Sequence, residues 1–464
     1  MSSNVKKAGL GYVLGNYLIR GISFITLPLF ARLLSTADFG IYNMFVSYSS
    51  IVFILIGVAI HTSYKNAYIK FKDEFDEYVS NTILICIIVA TFFTIIGILF
   101  PIIYHGISFF MIYSVIIYSF ALAIIANFNA YVSLQFKSSS YVKIATVNAL
   151  STILISVFLI LCIFDKQRYI GRILGTTIPA FLISLFLIVY FFRKQKPKLN
   201  RSHFTYALTY SLPLIPHGIS QVVLSSVDRI MIANMVGNEE AGLYSFAYTL
   251  QSLISVMYSS LDQVWGPWFY EKFRNNELQN IRIRANQYAW SLAILSSMAM
   301  LVSPELISIM GGSAYVSSKM IVTPIVLSGF FTFMYNFPAV VEYYFEKTQF
   351  ISTGTVLAAV VNLTLNFLFI PKYGYGAAAY TTLFTYILYF LLHYVFAYYV
   401  NQRKQIYSTK TFTLISLFVI SISIFVQLNL EKAYLRWVLL LLLVLYFSWY
   451  LFVKLQLSIR SLGK

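Results

Sequence analysis

The stretch ARLLSTADFGIYNMF, Ala31–Phe45, returns in the middle of the chain as ANMVGNEEAGLYSFA, Ala233–Ala247. The two stretches align without a gap, and the alignment places Gly40 on Gly242. The same register, extended along the chain, pairs further residues of like chemistry: Tyr42 with Tyr244, Tyr68 with Tyr270, Lys70 with Lys272, Phe71 with Phe273 and Lys72 with Arg274. A register shared over so long a stretch indicates an internal duplication of the chain.

The composition of the chain is that of a membrane protein. Hydrophobic residues make up 59% of the 464 residues and charged residues only 11%, with a mean hydropathy of +0.76. The apolar residues form a series of stretches of about 20 residues, the length at which an α-helix crosses a bilayer. Helices are favoured over strands because each spanning segment must satisfy its own backbone hydrogen bonds. The chain is therefore predicted to be an all-α polytopic membrane protein with about 14 transmembrane helices.

The distribution of the basic residues explains the formal net charge of +17. With the N-terminus inside, most Lys and Arg residues fall in the predicted cytoplasmic segments, and the richest of these is RKQKPKLNR, 193–201. Membrane proteins concentrate positive residues on the cytoplasmic side in this way. The pattern predicts that both termini are cytoplasmic and that the basic segments contact anionic lipid headgroups rather than nucleic acid.

The duplication and the predicted helices together divide the chain. Residues 1–192 are predicted to form a first six-helix bundle, which a basic cytoplasmic connector, 193–206, joins to a second six-helix bundle, 207–400. Residues 401–464 have no counterpart in the first half and are interpreted as an additional transmembrane helix pair with a cytoplasmic tail. Each half has an even number of spans, so the repeat is predicted to be parallel, with its pseudo-two-fold axis along the membrane normal. Two such halves around a central gap are a common architecture of transporters.

Motifs of soluble enzymes are absent from the sequence. It contains no Walker-type phosphate loop, no nucleophile elbow and no cluster of His and Cys at metal-ligand spacing. The two cysteines, Cys86 and Cys162, lie in apolar stretches. We therefore predict a transporter rather than an enzyme, with no cofactor and no metal, driven by an ion gradient or by a partner.

The first helix carries a charge near its predicted centre. Burying Arg20 in a bilayer costs at least about 2.5–3.5 kcal/mol, so intramembrane charges indicate functional positions. Asn16 lies four residues before Arg20 and Ser23 three residues after it, which places all three on one helix face. We interpret this face as substrate-binding and as lining a cavity.

The equivalent helix of the second half carries a longer polar stripe. His217, Gln221, Ser225 and Asp228 follow one another at spacings of three or four residues, and Arg229 is adjacent. Two polar stripes on equivalent helices predict a central water-filled cavity, with Gln221, Ser225 and Arg229 as substrate-binding residues and Asp228 and His217 as coupling or gating candidates. Two alternatives stay open: Asp228 and Arg229 hold the bundle together through pairs with other helices, and His217 is a packed residue rather than a proton carrier.

Four further charged residues are coupling or gating candidates. Glu342, near the cytoplasmic end of the tenth helix, is a candidate for titration in a coupling cycle. Asp262 either lines the inward mouth of the cavity or only meets lipid headgroups. Arg32 and Asp38 flank the outward turn between the first two helices and are expected to be able to pair there.

Three motifs carry a resemblance to a known family: PLFARLLSTADFGIYNMF (28–45), VDRIMIANMVGNEEAGLYSFA (227–247) and FEKTQFISTGTVLAAVVNLTLNFLFIPKYGYGAAAYTT (345–382). In order and spacing they resemble the polysaccharide-unit flippases of the multidrug/oligosaccharidyl-lipid/polysaccharide exporter superfamily. The resemblance implies a multi-pass protein of the bacterial cytoplasmic (inner) membrane. Such a protein moves an undecaprenyl-pyrophosphate-linked oligosaccharide repeat unit to the periplasmic leaflet, for O-antigen, capsule or related surface polysaccharides.

The resemblance also implies a mechanism. Arg20 and Arg229 would supply cations for the pyrophosphate in a low-dielectric cavity while the two halves rock between inward and outward states. Coupling to a proton or sodium gradient is expected, with Asp228 and Glu342 as candidates. The expected partners are the lipid-linked oligosaccharide, membrane lipids, a polysaccharide polymerase and a chain-length regulator.

Two other classes of function stay open from the sequence. One is a multidrug extruder or a peptidoglycan-precursor flippase of the same superfamily. A pump for organic cations should favour acidic cavity residues, whereas arginine occupies the deepest predicted positions here. The other is a membrane scaffold that recruits glycan-assembly enzymes and transports nothing.

Overall fold

The computed structural model describes residues 24–103 and 108–462, together with 11, 15, 21 and 22, without the side chains of 99–103, 253, 254, 256, 257, 259–263 and 450–462. The described chain is helical, with short turns between helices and no strand. Ten of its helical stretches are long and apolar enough to cross a membrane, and two shorter apolar helices, Phe24–Leu33 and Ala433–Trp449, accompany them. The predicted all-α polytopic membrane fold is confirmed.

By packing, the chain divides into two compact units, Met1–Gly242 and Leu243–Lys464. The helices of the first unit are α1 (Phe24–Leu33), α2 (Thr36–Gly57), α3 (Tyr64–Lys70), α4 (Phe75–Ile103), α5 (Phe109–Leu134), α6 (Ser138–Cys162), α7 (Arg168–Lys194), α8 (Arg201–Ser211) and α9 (Ile215–Met235). The next helix, α10 (Asn238–Arg274), begins in the first unit and continues into the second. The predicted domains 1–192 and 207–400 rest on the duplication rather than on packing, and they stay a prediction.

The second unit continues with α11 (Leu278–Gly311), α12 (Lys319–Met334), α13 (Asn336–Tyr344), α14 (Thr348–Tyr373), α15 (Tyr375–Val400), α16 (Thr409–Leu428) and α17 (Ala433–Leu462). Within this unit α15 packs against α12 and α14, while α11 packs against α12, α16 and α17.

Proline interrupts the helical chain at the start of the second predicted bundle. A 3₁₀ turn, Leu212–Leu214, separates α8 from α9. Pro213 lies in this turn and Pro216 in the first turn of α9. Proline has no N–H to donate, so it is tolerated at the start of a helix and interrupts one in the middle. The polar stripe predicted for this half therefore begins at the start of α9.

The duplicated glycines lie against each other. A methyl group at Gly40 would overlap the carbonyl oxygen of Asn238 and come within 2.8 Å of the backbone nitrogen of Gly242. A methyl group at Gly242 would in turn overlap the carbonyl oxygen of Thr36. The starts of α2 and α10 thus meet through equivalent residues of the repeated motif, at a distance that only glycine permits.

Buried polar groups join α14 to α15 within the third motif. Asn366 donates to Asn362 at 3.2 Å, Asn362 donates to Thr382 at 3.3 Å, and Thr381 donates to Asn366. All four side chains are buried. Polar side chains inside a membrane bundle bond to one another across helices because no water is there to replace the partner. These motif residues therefore fix the packing of α14 against α15.

An ion pair anchors the last helix. Arg436 in α17, only 3% exposed, makes two charge-assisted hydrogen bonds to Glu305 of α11, at 2.6 and 2.7 Å. The same guanidinium donates to the carbonyl oxygens of Leu301, Asn429 and Leu430. This pair of parallel hydrogen bonds, for which the planar guanidinium is suited, holds α17 against α11.

Candidate functional site

The polar stripe of α9 separates into two lines. Ser220, Leu224, Asp228 and Ile232 are spaced by four residues and are all buried, with Asp228 only 1% exposed. The neighbouring line contains Gln221, Ser225 and Arg229, which are half-buried or exposed. A helix repeats every 3.6 residues, so adjacent positions such as 228 and 229 point to different surroundings.

The accessible line of α9 is where the predicted substrate-binding residues of this half come together. Nη1 of Arg229 donates to the carbonyl oxygen of Ser225 at 3.3 Å, and the Ser225 hydroxyl donates to the carbonyl of Gln221 at 3.0 Å. His217, half-buried, lies one turn further toward the start of α9. Its Nδ1 is buried and has no hydrogen-bond partner among the described residues.

Several predicted site residues lie outside what the structure describes. Arg20, Asn16 and Ser23 are not among the described residues, and the side chain of Asp262 is likewise not described. Their roles stay predictions, and so does the pairing of Arg32 with Asp38. Arg32 is exposed.

Asp38 has a local role as a helix cap. Its carboxylate accepts a hydrogen bond from the Ser35 hydroxyl at 2.8 Å, and Ser35 in turn accepts from the Asp38 backbone N–H at 3.0 Å. The carboxylate also accepts from the backbone N–H of Tyr169, in the first turn of α7, at 3.4 Å. An acidic group near the starts of two helices is favoured by both helix dipoles.

Glu342 forms a buried pair that sequence reasoning missed. Its Oε1 lies 2.8 Å from Nδ1 of His393, and both side chains are 0% exposed. Rings of Tyr335 and Tyr389 lie against the imidazole, with centroids 5.3 and 4.6 Å away. Gly354 leaves room for the ring, since a methyl group there would come within 2.7 Å of Nε2. The two residues lie far apart in the sequence, so no sequence pattern predicts that they meet. They are brought together by the packing of α13 against α15.

The basic connector is bound rather than free. Asp76, in the first turn of α4, accepts from Lys194 at 2.8 Å and from the Tyr131 hydroxyl at 2.7 Å, and Lys194 also donates to Tyr131. Lys198 pairs with Glu77 at 2.7 Å, and this hydrogen bond raises the pKa of Lys198. The acidic start of α4 therefore neutralises part of the charge that the connector carries.

A buried histidine completes this attachment. His203, in α8, is 0% exposed and lies between Asn81, 3.0 Å from its Nδ1, and Glu74, 3.1 Å from its Nε2. The Asn81 side chain also accepts from the backbone N–H of Lys198 at 3.0 Å. Phe71 meets the edge of the imidazole with a centroid distance of 4.7 Å. The connector thus has a defined path over α4.

A second arginine site lies in the first unit. Arg172, in the second turn of α7, is half-buried, and its guanidinium carbon lies 3.7 Å from the ring centroid of Phe30 and 4.6 Å from that of Tyr42. Its Nη1 donates to the hydroxyl of Ser156 at 2.9 Å. Tyr42 itself contacts the Thr176 hydroxyl at 3.3 Å. No sequence motif marks Arg172, because Phe30, Tyr42 and Ser156, which surround it, lie on other helices.

Solved structures of a flippase and of a multidrug transporter are similar in fold to this chain. The lipid II flippase MurJ, in an inward closed conformation, matches 96% of this chain and 99% of its own, with a TM-score of 0.66 and 16% identity. An inward-facing multidrug resistance MATE family transporter of the MOP superfamily matches 81% of this chain and 95% of its own, with a TM-score of 0.59 and 13% identity. At such low identities the likeness shows the fold alone.

The sequence of the chain shows its family. The model of the polysaccharide biosynthesis protein family matches residues 5–273, more than half of the chain, and the protein belongs to this family. A relative from Haemophilus influenzae, the Lsg locus putative protein 1, is 27% identical over 165 residues. That match covers 35% of this chain and 41% of the relative. The predicted family resemblance is confirmed.

Proposed function

We propose that this protein is a flippase, not an enzyme, that moves undecaprenyl-pyrophosphate-linked oligosaccharide units across the bacterial inner membrane. The observation that carries the proposal is the accessible line of Gln221, Ser225 and Arg229 on α9, in a chain of the polysaccharide biosynthesis protein family with the fold of a flippase. The structure with this fold that is named a flippase acts, by its name, on a lipid, lipid II. O-antigen, capsule and related surface polysaccharides are the proposed pathways.

The chemistry of the α9 line fits such a cargo. A pyrophosphate is anionic and cannot enter hydrocarbon without compensation, whereas the sugars need hydrogen-bonding groups in place of water. Arg229 supplies a permanent cation with several N–H donors, and Gln221 and Ser225 supply neutral polar groups on the same line. The prenyl tail stays in the lipid. In this proposal Arg20, Asn16 and Ser23 form the equivalent line of the first half.

Transport needs a source of energy, and we propose a proton or sodium gradient. Glu342 with His393 is the described acid–imidazole pair buried in the second unit, and Asp228 is the buried carboxylate of α9. Such groups change charge when they gain or lose a proton, and a change of charge in a buried site alters which conformation is favoured. Both termini are proposed to be cytoplasmic, with a polymerase and a chain-length regulator as partners.

The decisive experiment is transport in liposomes. The full chain is reconstituted with a fluorescent undecaprenyl-pyrophosphate oligosaccharide, and movement between leaflets is measured for the wild type, Arg229→Gln and Arg229→Lys. Loss of a charge-assisted contact is expected to slow Arg229→Gln by on the order of tenfold, with partial recovery in Arg229→Lys. Lys196→Gln, which removes an exposed connector charge, serves as the control and is expected to leave the rate unchanged.

Three results contradict the proposal. Equal rates for the wild type and Arg229→Gln exclude the cationic line. No movement of the lipid by the wild type, with an imposed gradient, favours the scaffold. Efflux of cationic dyes without movement of the lipid-linked sugar favours a multidrug extruder.

A further inference from the structure

Among the described residues, Arg172 has no carboxylate partner. All Asp and Glu side chains of the first unit belong to the described residues, and none of them forms an ion pair with Arg172. Its one hydrogen bond goes to the neutral hydroxyl of Ser156. No described carboxylate of the first unit therefore neutralises the charge of Arg172.

The two aromatic rings hold this charge without neutralising it. Phe30 and Tyr42 lie close to the guanidinium carbon, and their π-electrons attract the cation. A carboxylate in their place would cancel the charge and occupy the N–H groups. The rings and Ser156 together restrict the side chain, which lowers the entropy lost when a ligand binds.

One N–H donor of the Arg172 guanidinium is not used by any described residue. Nε is buried and has no hydrogen-bond partner among the described residues, while the bond to Ser156 uses Nη1. The edge formed by Nε and Nη2 is one of those through which arginine grips a carboxylate or a phosphate with two parallel bonds. Arg172 also lies near the start of α7, where the helix dipole adds positive potential.

We propose that Arg172 is an anion-binding residue that contacts an oxyanion of the transported molecule, a phosphate or a sugar carboxylate. It is a cationic contact in addition to Arg229. This inference rests on the proposed function, since the transported molecule supplies the anion. Phe30 and Tyr42 act as positioning residues that orient the guanidinium toward it.

Binding of a defined lipid tests the inference. The full chain in nanodiscs of zwitterionic lipid is titrated with undecaprenyl diphosphate and with the neutral undecaprenol. Arg172→Gln is expected to weaken diphosphate binding by on the order of tenfold and to leave undecaprenol binding unchanged. Arg172→Lys keeps the charge but lacks the planar edge, and a smaller loss is expected.

Arg168→Gln is the matched control. Arg168 lies one turn away in α7 and donates to the carbonyl oxygens of Leu33 and Asp165. Its substitution is expected to change diphosphate affinity by no more than about twofold, as is usual for a residue without ligand contact. If Arg172→Gln does not fold, the comparison of Arg172→Lys with Arg168→Lys provides the same test.

A second titration distinguishes a phosphate from a sugar carboxylate as the bound anion. It measures the binding of soluble oligosaccharides that carry or lack a uronic acid. Arg172-dependent binding of either the diphosphate or the acidic sugar supports the inference and names the group. Unchanged affinity for both in Arg172→Gln, at an unchanged melting temperature, overturns it. If Arg172-dependent binding is present but the wild type moves no lipid in liposomes, the proposed function fails and the anion site stands.

Discussion

At the scale of single residues, neighbours in sequence have different tasks. Asp228 and Arg229 are adjacent, yet the first is buried and the second lies on the accessible line of α9. Charge alone therefore does not identify a substrate contact. Two further arginines show this. Arg436 is buried and anchors α17 through two hydrogen bonds to Glu305, whereas Arg172 lies against two aromatic rings and not against a carboxylate.

The buried pair of Glu342 and His393 gives a prediction at this scale. Glu342→Gln keeps a hydrogen-bonding group beside the imidazole but removes the carboxylate that would carry the proton in the proposed coupling. If the pair couples transport to protons, the variant is expected to lose the acceleration of transport by an imposed proton gradient while it still binds the lipid-linked sugar. The measurement is the initial rate in liposomes with and without the gradient.

Glu346→Gln is the control for this prediction. Glu346 is exposed, four residues along the chain, and its substitution removes the same charge. Equal stimulation of Glu342→Gln and the wild type by the proton gradient would exclude the pair from coupling.

At the scale of elements, the connector and the duplicated motif depart from simple expectations. A segment as basic as 193–201 is predicted to contact anionic lipid headgroups, yet its Lys194 and Lys198 form ion pairs with the acidic start of α4. Acidic residues are favoured at the start of a helix, and here they also bind basic residues more than a hundred positions away. The motif contributes capping residues and, through Gly40 and Gly242, a close approach of two helices.

The glycine contact gives a prediction for the elements. Gly40→Ala places a methyl group against the backbone of α10, which cannot move aside as a flexible side chain can. Overpacking of this kind is expected to destabilise the arrangement by about 1–3 kcal/mol and to lower the melting temperature in detergent.

Gly266→Ala is the matched control because a methyl group at this helical position meets nothing within 4 Å. Alanine favours a helix over glycine by roughly 0.5–1 kcal/mol, so the control is expected to be neutral or stabilising. A melting temperature for Gly40→Ala as high as that of the control would show that the close contact is absent in the membrane.

At the scale of the whole molecule, the question is orientation. The concentration of basic residues on one side predicts that the connector is cytoplasmic. In a parent variant the exposed Cys162 is replaced by Ser, while Cys86 is buried and is kept. A single cysteine added to this parent then shows on which side of the membrane its position lies. Leu199→Cys lies on the exposed connector and Gln167→Cys in the exposed turn before α7.

A membrane-impermeant thiol reagent is expected to label Leu199→Cys only in inverted membrane vesicles and Gln167→Cys only in right-side-out vesicles. The parent protein, with Cys86 alone, is expected to stay unlabelled and is the control. The reverse pattern would place the connector on the outer side and would overturn the proposed direction of transport.

The sequence by itself determined the fold class and the family. Long apolar stretches can satisfy their backbone hydrogen bonds in a bilayer only as helices, so composition was sufficient for the first. The resemblance of three motifs, in their order and spacing, to a known family was sufficient for the second, and the family match over residues 5–273 confirms it.

Only the tertiary structure decided which polar residues meet. The pair of Glu342 and His393, the aromatic setting of Arg172 and the attachment of the connector join residues far apart in sequence. Helical periodicity identifies the residues that share a face, but it does not identify the helix that packs against that face. The surroundings of each charge depend on that packing. The packing therefore also decides whether the charge is neutralised or is available to a ligand.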